Sequence, residues 1–407
     1  MPNLKIYNFG PIKNAEFDFK KVNVLIGQQG TGKSCVLKIM AFCLWLEKIY
    51  LSGEITDLQR DMTQKQFVEK YLLEFYELED FVNITENGYS TIKFDDEGKV
   101  KIFIDFKINN DKLYDIEVID VPLTSIRVAY IPAERSIVSA IPNLMELKLR
   151  DTNVYKYLVD WENAHKAYSE KSKFNILGLN ADFYYDTKVR ADYLFIDDDN
   201  KVLLSNAASG FKSVVPICIL TQYYINGGNY ITIKDKQRVE ELKKLIEHFY
   251  SGQDDVIKNI NGNINSIISN RNCNIFLEEP EANIFPETQF QLVKWLIASL
   301  ENGHNNTLSI ATHSPYILTV LNNLIYAAKV GKKFPEKINK IISKKMWLPT
   351  ENVAAYYLND GTAMNIVDDE LGEIDPELID RISQVINHEY GTIRNIEYER
   401  DERRRTA

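Results

Sequence analysis

The most informative segment of the chain is NVLIGQQGTGKS, which spans residues 23–34. Its apolar first half predicts a short strand, its glycines predict a tight turn, and the residues from Lys33 to about Lys48 predict a helix. Residues 27–34 fit G-x-x-x-x-G-K-[ST], the pattern of a loop that binds phosphate. Glycine lets the backbone curl so that successive N–H groups point inward, and a helix N-terminus adds partial positive charge. The segment therefore predicts a nucleotide site.

Each residue of this loop has an expected role toward ATP and Mg²⁺. The amine of Lys33 can reach the β- and γ-phosphates, and the hydroxyl of Ser34 can ligate Mg²⁺. A plain glycine turn between two core elements is the alternative, but the flanking strand and helix are the context that the motif requires. The residues that we expect to contact the nucleotide here are Gly27, Gln28, Gln29, Gly30, Thr31, Gly32, Lys33 and Ser34.

Composition places the chain among soluble globular proteins. It has 407 residues, of which 45% are apolar and 26% are charged, and this is an ordinary balance for a folded domain. No apolar run reaches the length of a membrane span, and the N-terminus lacks the basic and apolar regions of a signal peptide. We therefore expect no membrane association and a cytoplasmic location.

Charge and cysteine usage narrow the function classes further. The net charge of −10 argues against a surface that binds nucleic acid non-specifically, although a local basic groove stays open. The four cysteines lack CxxC spacing, so we expect buried free thiols rather than a metal site or disulfides. They are Cys35, Cys43, Cys218 and Cys273.

The first third of the chain alternates between strand and helix patterns. A helical pattern covers about residues 60–80, while period-two alternation predicts an antiparallel meander over 90–119. The predicted strands and hairpins of this part are a hairpin at 4–19, a strand at 21–26, the meander at 90–119 and a strand at 127–131.

The remainder of the chain is predicted to be richer in helix. Helical patterns are expected at 137–190, 214–224, 234–270, 287–300, 316–345 and 376–390. Hairpins are expected at 193–204 and 353–367, and single strands at 274–277 and 307–311.

Two acids at the end of a predicted strand complement the loop. The apolar residues 275–277 lead into Glu278 and Glu279, which is the Walker B arrangement. One acid holds the Mg²⁺ shell and the next polarises the attacking water. We assign Glu278 to the metal and Glu279 to the water. Solvated acids at a strand end are the alternative, which is weak beside a phosphate loop of this quality.

Two further segments join this site. His313 ends the next predicted strand, at the sheet edge where ligands gather in parallel α/β sheets, and it can hydrogen-bond the γ-phosphate or the attacking water. Ser209 and Gly210 open an apolar helix, where N–H groups can face an anion. An ordinary helix cap is the alternative for that pair.

Three motifs carry a family resemblance. They are Leu-Glu-Glu-Pro-Glu-Ala at 277–282, Ala-Thr-His-Ser-Pro at 311–315 and Tyr-Ile-Pro-Ala-Glu-Arg at 130–135. With the loop, they resemble the ABC-type ATPase superfamily over about residues 3–390. The closer resemblance is to its soluble branch, which includes the overcoming-lysogenization-defect (OLD) nucleases, RecF, and the ATPases of bacterial anti-phage systems such as Septu and PARIS.

The resemblance implies a fold and an assembly. The expected fold is α/β, an ABC-type P-loop ATPase head with a mixed sheet, an antiparallel β-meander and an inserted helical lobe. One head spans 1–407, with the helical signature lobe at about 137–272 between Walker A and Walker B, and a charged tail at about 391–407. A head-to-tail dimer or higher oligomer is implied, with each ATP lying between one subunit's Lys33 loop and the other subunit's Ser209-Gly210 turn.

The chain departs from the family pattern at several positions. Phe211 and Lys212 replace the second glycine and the glutamine of the commoner signature. Glu278 stands where aspartate is more usual, and Asn283 and Phe285 stand where the nuclease-linked branch often has histidine. These departures bear on the rate of turnover more than on the fold.

The leading hypothesis is a sensor or scaffold of prokaryotic anti-phage defence that hydrolyses ATP. The residues after His313 are too few for the nuclease domain of the resembling branch, so the expected effector is a separate protein, with a nuclease as the favoured class. A phage protein is the expected trigger.

A RecF-like repair ATPase that contacts DNA is the alternative function. Its candidate surface is basic, although a solvated helix face explains the same residues and fits the net charge better. A transporter subunit is a third interpretation, which the insertion near 234–270 and the hairpins at 90–119 disfavour. The basic residues concerned are Lys332, Lys333, Lys337, Lys340, Lys344, Lys345 and residues 403–405.

Overall fold

The computed structural model describes most of the chain. The described residues are 2–51, 62–85, 88–96, 100–106, 114–118, 125–140, 149–197, 200–226, 271–301, 305–368, 371–375, 387–392 and 394. The predicted helix at 234–270 and most of the charged tail lie outside them.

Nineteen strands are found in the described residues. They are β1 (Pro2–Phe9), β2 (Ile12–Asp18), β3 (Val22–Gly27), β4 (Ile84–Thr85), β5 (Gly88–Tyr89), β6 (Thr91–Asp96), β7 (Val100–Asp105), β8 (Tyr114–Val118), β9 (Ser125–Ile131), β10 (Phe174–Asn175), β11 (Asp182–Asp186), β12 (Ala191–Asp197), β13 (Asn200–Leu203), β14 (Arg271–Glu278), β15 (Thr307–Thr312), β16 (Val353–Asn359), β17 (Thr362–Asn365), β18 (Val367–Asp368) and β19 (Glu373–Ile374).

The main helices separate these strands along the chain. They are α1 (Lys33–Leu51), α2 (Gln64–Val68), α3 (Ile137–Ala140), α4 (Asn153–Ala164), α5 (Ser209–Ile225), α6 (Pro286–Ser299), α7 (Pro315–Gly331) and α8 (Pro335–Asn339). A π-helical stretch, Glu69–Glu74, continues directly from α2. No helix among the described residues has the length and apolar character needed to cross a bilayer.

An eleven-stranded mixed sheet organises the described part of the chain. Its order is β8-β7-β6-β1-β2-β17-β16-β3-β15-β14-β9. One half, β16-β3-β15-β14-β9, is parallel, whereas β8-β7-β6-β1-β2 is an antiparallel meander. The fold class is therefore α/β with a large mixed sheet and an antiparallel meander, as expected.

Two hydrophobic cores cover the faces of this sheet. Strand β3 is buried along its whole length, because Val24 faces the core built with α5, α6 and α7, while Leu25 faces the core built with α1. Strands buried on both faces read as continuous apolar runs. Parallel strands also end at one common edge, so β3, β14 and β15 bring their C-terminal residues together.

The prediction of a mainly helical segment at 137–190 is wrong in its second half. Here β10 and β11 join β12 and β13, which are the hairpin predicted at 193–204, in a separate four-stranded antiparallel sheet. Tyr184 stacks on Tyr193 across β11 and β12, with ring centroids 5.5 Å apart. Aromatic pairs of this kind stabilise sheets, but β10 and β11 have only two and five residues, which is too few to reveal their period. The lobe expected at 137–272 is thus mixed rather than helical where it is described.

The prediction of one helical stretch at 316–345 is also only partly correct. Helix α7 ends at Gly331, whose Cα packs so closely on Trp347 that an added Cβ would lie 2.5 Å from the indole. Pro335 then begins α8, as suits a residue without a backbone N–H at the first helical position. Residues 387–392 are helical, while the rest of the predicted final helix lies outside the described residues.

Candidate functional site

The glycine-rich loop joins β3 to α1. Two of its glycines lie very close to neighbouring segments of the chain. A Cβ on Gly27 would lie 2.3 Å from the carbonyl oxygen of Leu358 in β16, so only glycine fits there. Gly32 has a φ of +97°, in the range that favours glycine, and a Cβ there would meet Pro11 and Ile12 at 3.0 Å. The strand, turn and helix predicted for residues 23–48 are all present.

Lys33 lies inside the curl of this loop. Its amine donates to the carbonyl oxygens of Gly27 at 2.8 Å and Gln28 at 2.7 Å, and the residue is only 5% exposed. Burial lowers its pKa to about 8, although the negative charges of Glu279 and Glu281 act in the opposite direction. Within the described residues no carboxylate forms an ion pair with this amine. The buried cation therefore suits an anion such as the phosphates of a nucleotide.

Glu278 and Ser34 meet beside this lysine. The Glu278 carboxylate accepts a hydrogen bond from the hydroxyl of Tyr130, and the hydroxyl of Ser34 lies close enough to lower the pKa of this carboxyl. Burial raises the pKa of Glu278, while the bond from Tyr130 and the charge of Lys38 oppose that rise. A hydroxyl and a carboxylate in contact are oxygen ligands of the kind that Mg²⁺ prefers. Both residues fit the metal role predicted for them, and a bound Mg²⁺ would neutralise charge on the phosphates.

Glu279 leaves the strand in a left-handed turn. Its φ is +41°, a conformation that L-residues adopt at a cost. Its N–H donates to the carbonyl oxygen of Ala311 in β15 at 2.8 Å. One carboxylate oxygen then lies 3.4 Å from Nε2 of His313. The two residues predicted to act on the attacking water are thus neighbours, and both are partly accessible.

Glu281 holds the histidine segment in place. One of its carboxylate oxygens accepts from the N–H of His313 at 2.5 Å, and the other accepts from the hydroxyl of Thr312 at 2.9 Å. Ser314 in turn donates to Gln289 of α6 at 2.6 Å. Sequence reasoning assigned no role to Glu281, although its place in the motif at 277–282 was the available signal.

Arg135 is a second residue that the sequence left without a role. It is fully buried, and its guanidinium donates to the carbonyl oxygens of Glu278 at 2.9 Å and Glu279 at 2.7 Å. Main-chain carbonyls leave no signature in a sequence, so nothing but the motif at 130–135 pointed to this residue.

Ser209 and Gly210 begin helix α5, as the predicted turn required. Ser209 is exposed and Gly210 is half-buried, close to Asn283 and Ile284. The preceding residue, Ala208, is the N-cap and makes no side-chain capping bond. Within the part of the chain that the structure describes, no hydrogen bond joins this turn to the phosphate loop.

Comparison with known proteins agrees with the motifs. Residues 3–314 match a family model described as an AAA domain, and this is well over half of the chain. The chain belongs to this family. Together with the glycine-rich loop, the match identifies a P-loop ATPase of the AAA type. A search of curated proteins finds no match.

The solved structures that match the chain have low sequence identity and low TM-scores. The SMC head domain from Thermotoga maritima is 9% identical, with 89% of this chain and 97% of that chain covered and a TM-score of 0.39. The Smc head domain derived from Pyrococcus furiosus is 10% identical, with 95% and 100% covered and a TM-score of 0.36. The recombination mediator protein RecF is 11% identical, with 89% and 97% covered and a TM-score of 0.34. These scores are low, so the fold assignment rests on the sheet and the family match.

Proposed function

We propose that the protein is an ATP-driven switch in prokaryotic anti-phage defence. Two copies close head to tail around ATP and Mg²⁺, and closure controls a separate effector protein, for which a nuclease is the favoured class. A phage protein is the proposed trigger. The link to defence derives from the resemblance of the motifs at 277–282 and 311–315 to the ATPases of Septu- and PARIS-type systems.

The observation that carries the proposed assembly is the division of the site within one copy. The charges of Glu279 and Glu281 act on Lys33, and Arg135 bonds to the carbonyl oxygens of both Glu278 and Glu279, whereas Ser209 at the start of α5 is exposed. An exposed helix start suits contact with the phosphates of a nucleotide held by another copy. Each ATP would then bridge two molecules.

The chemistry proposed for this site follows from the groups present. Lys33 binds the β- and γ-phosphates, Gly27 to Ser34 surround them with N–H groups, and Ser34 with Glu278 holds Mg²⁺. Glu279 accepts a proton from the attacking water, and His313 orients that water or the γ-phosphate. Hydrolysis would remove the bridging γ-phosphate and let the two copies separate.

The described segments that follow His313 belong to the ATPase head. Strands β16 and β17 lie within the eleven-stranded sheet, between β3 and β2. Helix α7 packs into the core shared with α6. The separate effector is therefore proposed on the family resemblance alone.

The experiment measures assembly and partners together. Tagged protein is expressed from its own genomic neighbourhood, purified with Mg²⁺ and ATP or ADP, and sized by light scattering, while retained proteins are identified by mass spectrometry. We expect a dimer or larger assembly with ATP only, a retained effector, and phage resistance that Lys33→Ala abolishes. A protein that neither assembles with ATP nor retains a partner would refute the proposal.

The RecF-like alternative has its own structural support. Six lysines of the segment 332–345 are all exposed, and none forms an ion pair within the described residues. Phe334 and Ile341 are exposed among them, and basic surfaces with aromatic side chains suit single-stranded nucleic acid. DNA affinity that falls steeply with salt, and falls further when these lysines are changed to glutamine, would favour repair over defence.

A further inference from the structure

Arg135 makes a set of contacts that joins two distant parts of the chain. Its Nε donates to the carbonyl oxygen of Ser213 in α5 at 3.1 Å. Its Nη1 donates to the carbonyl oxygens of Glu278 at 2.9 Å and Pro132 at 3.4 Å, and its Nη2 donates to that of Glu279 at 2.7 Å. All four acceptors are main-chain oxygens, so the side chain fixes backbone positions rather than neutralising a charged partner.

Burying this guanidinium costs free energy of desolvation. The residue is completely buried, and burial lowers the pKa of the guanidinium, although the nearby Tyr157, Glu281 and Glu279 oppose that shift. A buried cation without an ion pair destabilises a fold unless strong hydrogen bonds offset its desolvation. Arginine suits the place because its planar fork reaches several oxygens at once, which the single amine of lysine cannot do.

These bonds first fix the backbone of Glu279 on both sides of its Cα. The N–H of this residue is held by Ala311 and its carbonyl oxygen by Arg135. With both sides bonded, the left-handed turn is locked and the carboxylate stays beside His313. A small rotation of the backbone at Glu279 would move the carboxylate away from the water that it activates. Displacements of about 1 Å can lower rates about 100-fold.

The second thing that they fix is the beginning of α5. Pro216 lies inside this helix and has no N–H, so the carbonyl oxygen of Lys212 lacks its usual partner four residues on. The hydroxyl of Ser139 donates to that oxygen at 3.4 Å, and Arg135 donates to the next one, on Ser213. The turns that follow Ser209 are thereby tied to the same segment that holds Glu279.

We propose that Arg135 is a positioning residue that couples the helix beginning at Ser209 to the catalytic turn at Glu279. The proposal rests on the head-to-tail dimer described above, in which Ser209 covers the ATP of the other copy. When a partner's nucleotide contacts the start of α5, this part of the helix moves. The hydrogen bonds of the guanidinium then move the backbone of Glu279 in the same copy. Dimer closure thus sets the geometry of hydrolysis.

The test separates turnover from binding and assembly. ATPase activity per molecule is measured at saturating Mg²⁺ and ATP over a range of protein concentrations that spans dimer formation. Wild-type activity should rise across that range. R135K should bind ATP and dimerise with wild-type affinities, yet its dimer should turn over about tenfold or more slowly, which corresponds to about 1.4 kcal/mol of lost transition-state stabilisation. R135Q should be slower still.

Ser139→Ala is the matched control, because it removes a bond to the adjacent carbonyl of α5 and touches neither glutamate. Its turnover should stay within about twofold of wild type. An R135K dimer with wild-type turnover would overturn the proposal. Wild-type protein that never dimerises would instead refute the proposed function, and the two failures are therefore distinct.

A second variant covers the case in which R135K does not fold. The hydroxyl of Tyr157 donates to the carbonyl oxygen of Arg135 at 2.5 Å, so Tyr157→Phe loosens the arginine without removing it. Turnover should fall about fivefold with ATP affinity unchanged, since one hydrogen bond of this kind contributes about 1 kcal/mol. Unchanged turnover in Tyr157→Phe would count against the coupling even if R135K is lost.

Discussion

The phosphate loop and the beginning of α5 are both expected to touch ATP, yet they are organised in opposite ways. Lys33 and Glu278 are buried, and each is already hydrogen-bonded within its own copy. Ser209 is exposed, and no side chain caps its helix. The difference teaches that one region is pre-organised to hold a ligand, whereas the other is exposed, as the proposed head-to-tail dimer requires.

Glu279→Gln tests the chemistry of the organised region and should have the largest effect. Removing the base lowers turnover by about 100-fold or more, while ATP binding is retained because the phosphate contacts are untouched. The ATP-bound dimer should accumulate and be visible by light scattering. The exposed Glu287→Gln serves as control. Undiminished turnover in Glu279→Gln would show that another group accepts the proton.

Lys33→Ala tests ligand holding in the same region. Two charge-assisted bonds to phosphate are lost, each contributing about 1.5 kcal/mol, so ATP affinity should fall by about 100-fold. Calorimetry with ATP checks this, with Lys48→Ala on the same helix as control. Unchanged affinity would contradict the assignment of the loop as the nucleotide site.

Ser209→Glu tests the open region. A carboxylate in the first turn favours the helix, so thermal stability should be unchanged or higher. The same charge would face the phosphates of a partner's ATP, and the ATP-dependent dimer should weaken by about tenfold or more. Ser205→Glu, also exposed and nearby, should dimerise normally. Equal dimerisation of the two variants would mean that α5 does not cover the nucleotide.

Ser34→Ala should have the smallest effect, because Glu278 stays in place. Losing one oxygen ligand should raise the Mg²⁺ concentration needed for half-maximal hydrolysis by about tenfold. Titrating Mg²⁺ at fixed ATP measures this shift. A Mg²⁺ requirement equal to that of wild type would remove Ser34 from the metal site and sharpen the role of Glu278.

The sequence predicted the parts of this site that have a fixed local spacing. The loop at 27–34 and the acids at the end of β14 depend on neighbouring residues, and the meander depends on simple alternation, so all of them could be read from the chain. The resemblance supplied Ser209 and His313 as members of one family pattern. Their spatial relation to Lys33 could not be read from spacing, because it depends on how distant strands pair.

The features that the sequence could not reveal depend on hydrogen bonds to main-chain groups and on contacts between residues distant in the chain. Arg135 bonds to carbonyls that any residue type could offer, and Glu281 bonds to a hydroxyl and an N–H more than thirty residues away. Strands β10 and β11 of the small sheet were mistaken for helix because they are short, whereas the hairpin of β12 and β13 was predicted. The register of this sheet depends on contacts such as Tyr184 with Tyr193, which local periodicity cannot detect.

The position of β3 in the sheet has a consequence for biosynthesis. Val24 pairs with Ile310 on one side and Ala355 on the other, so both neighbours of this strand leave the ribosome long after it does. Gly27 itself lies against Leu358. Contacts this distant in sequence form slowly and late. A nascent chain therefore has no formed ATP site until β16 has been made, and the proposed ATP-dependent assembly would have to follow that step.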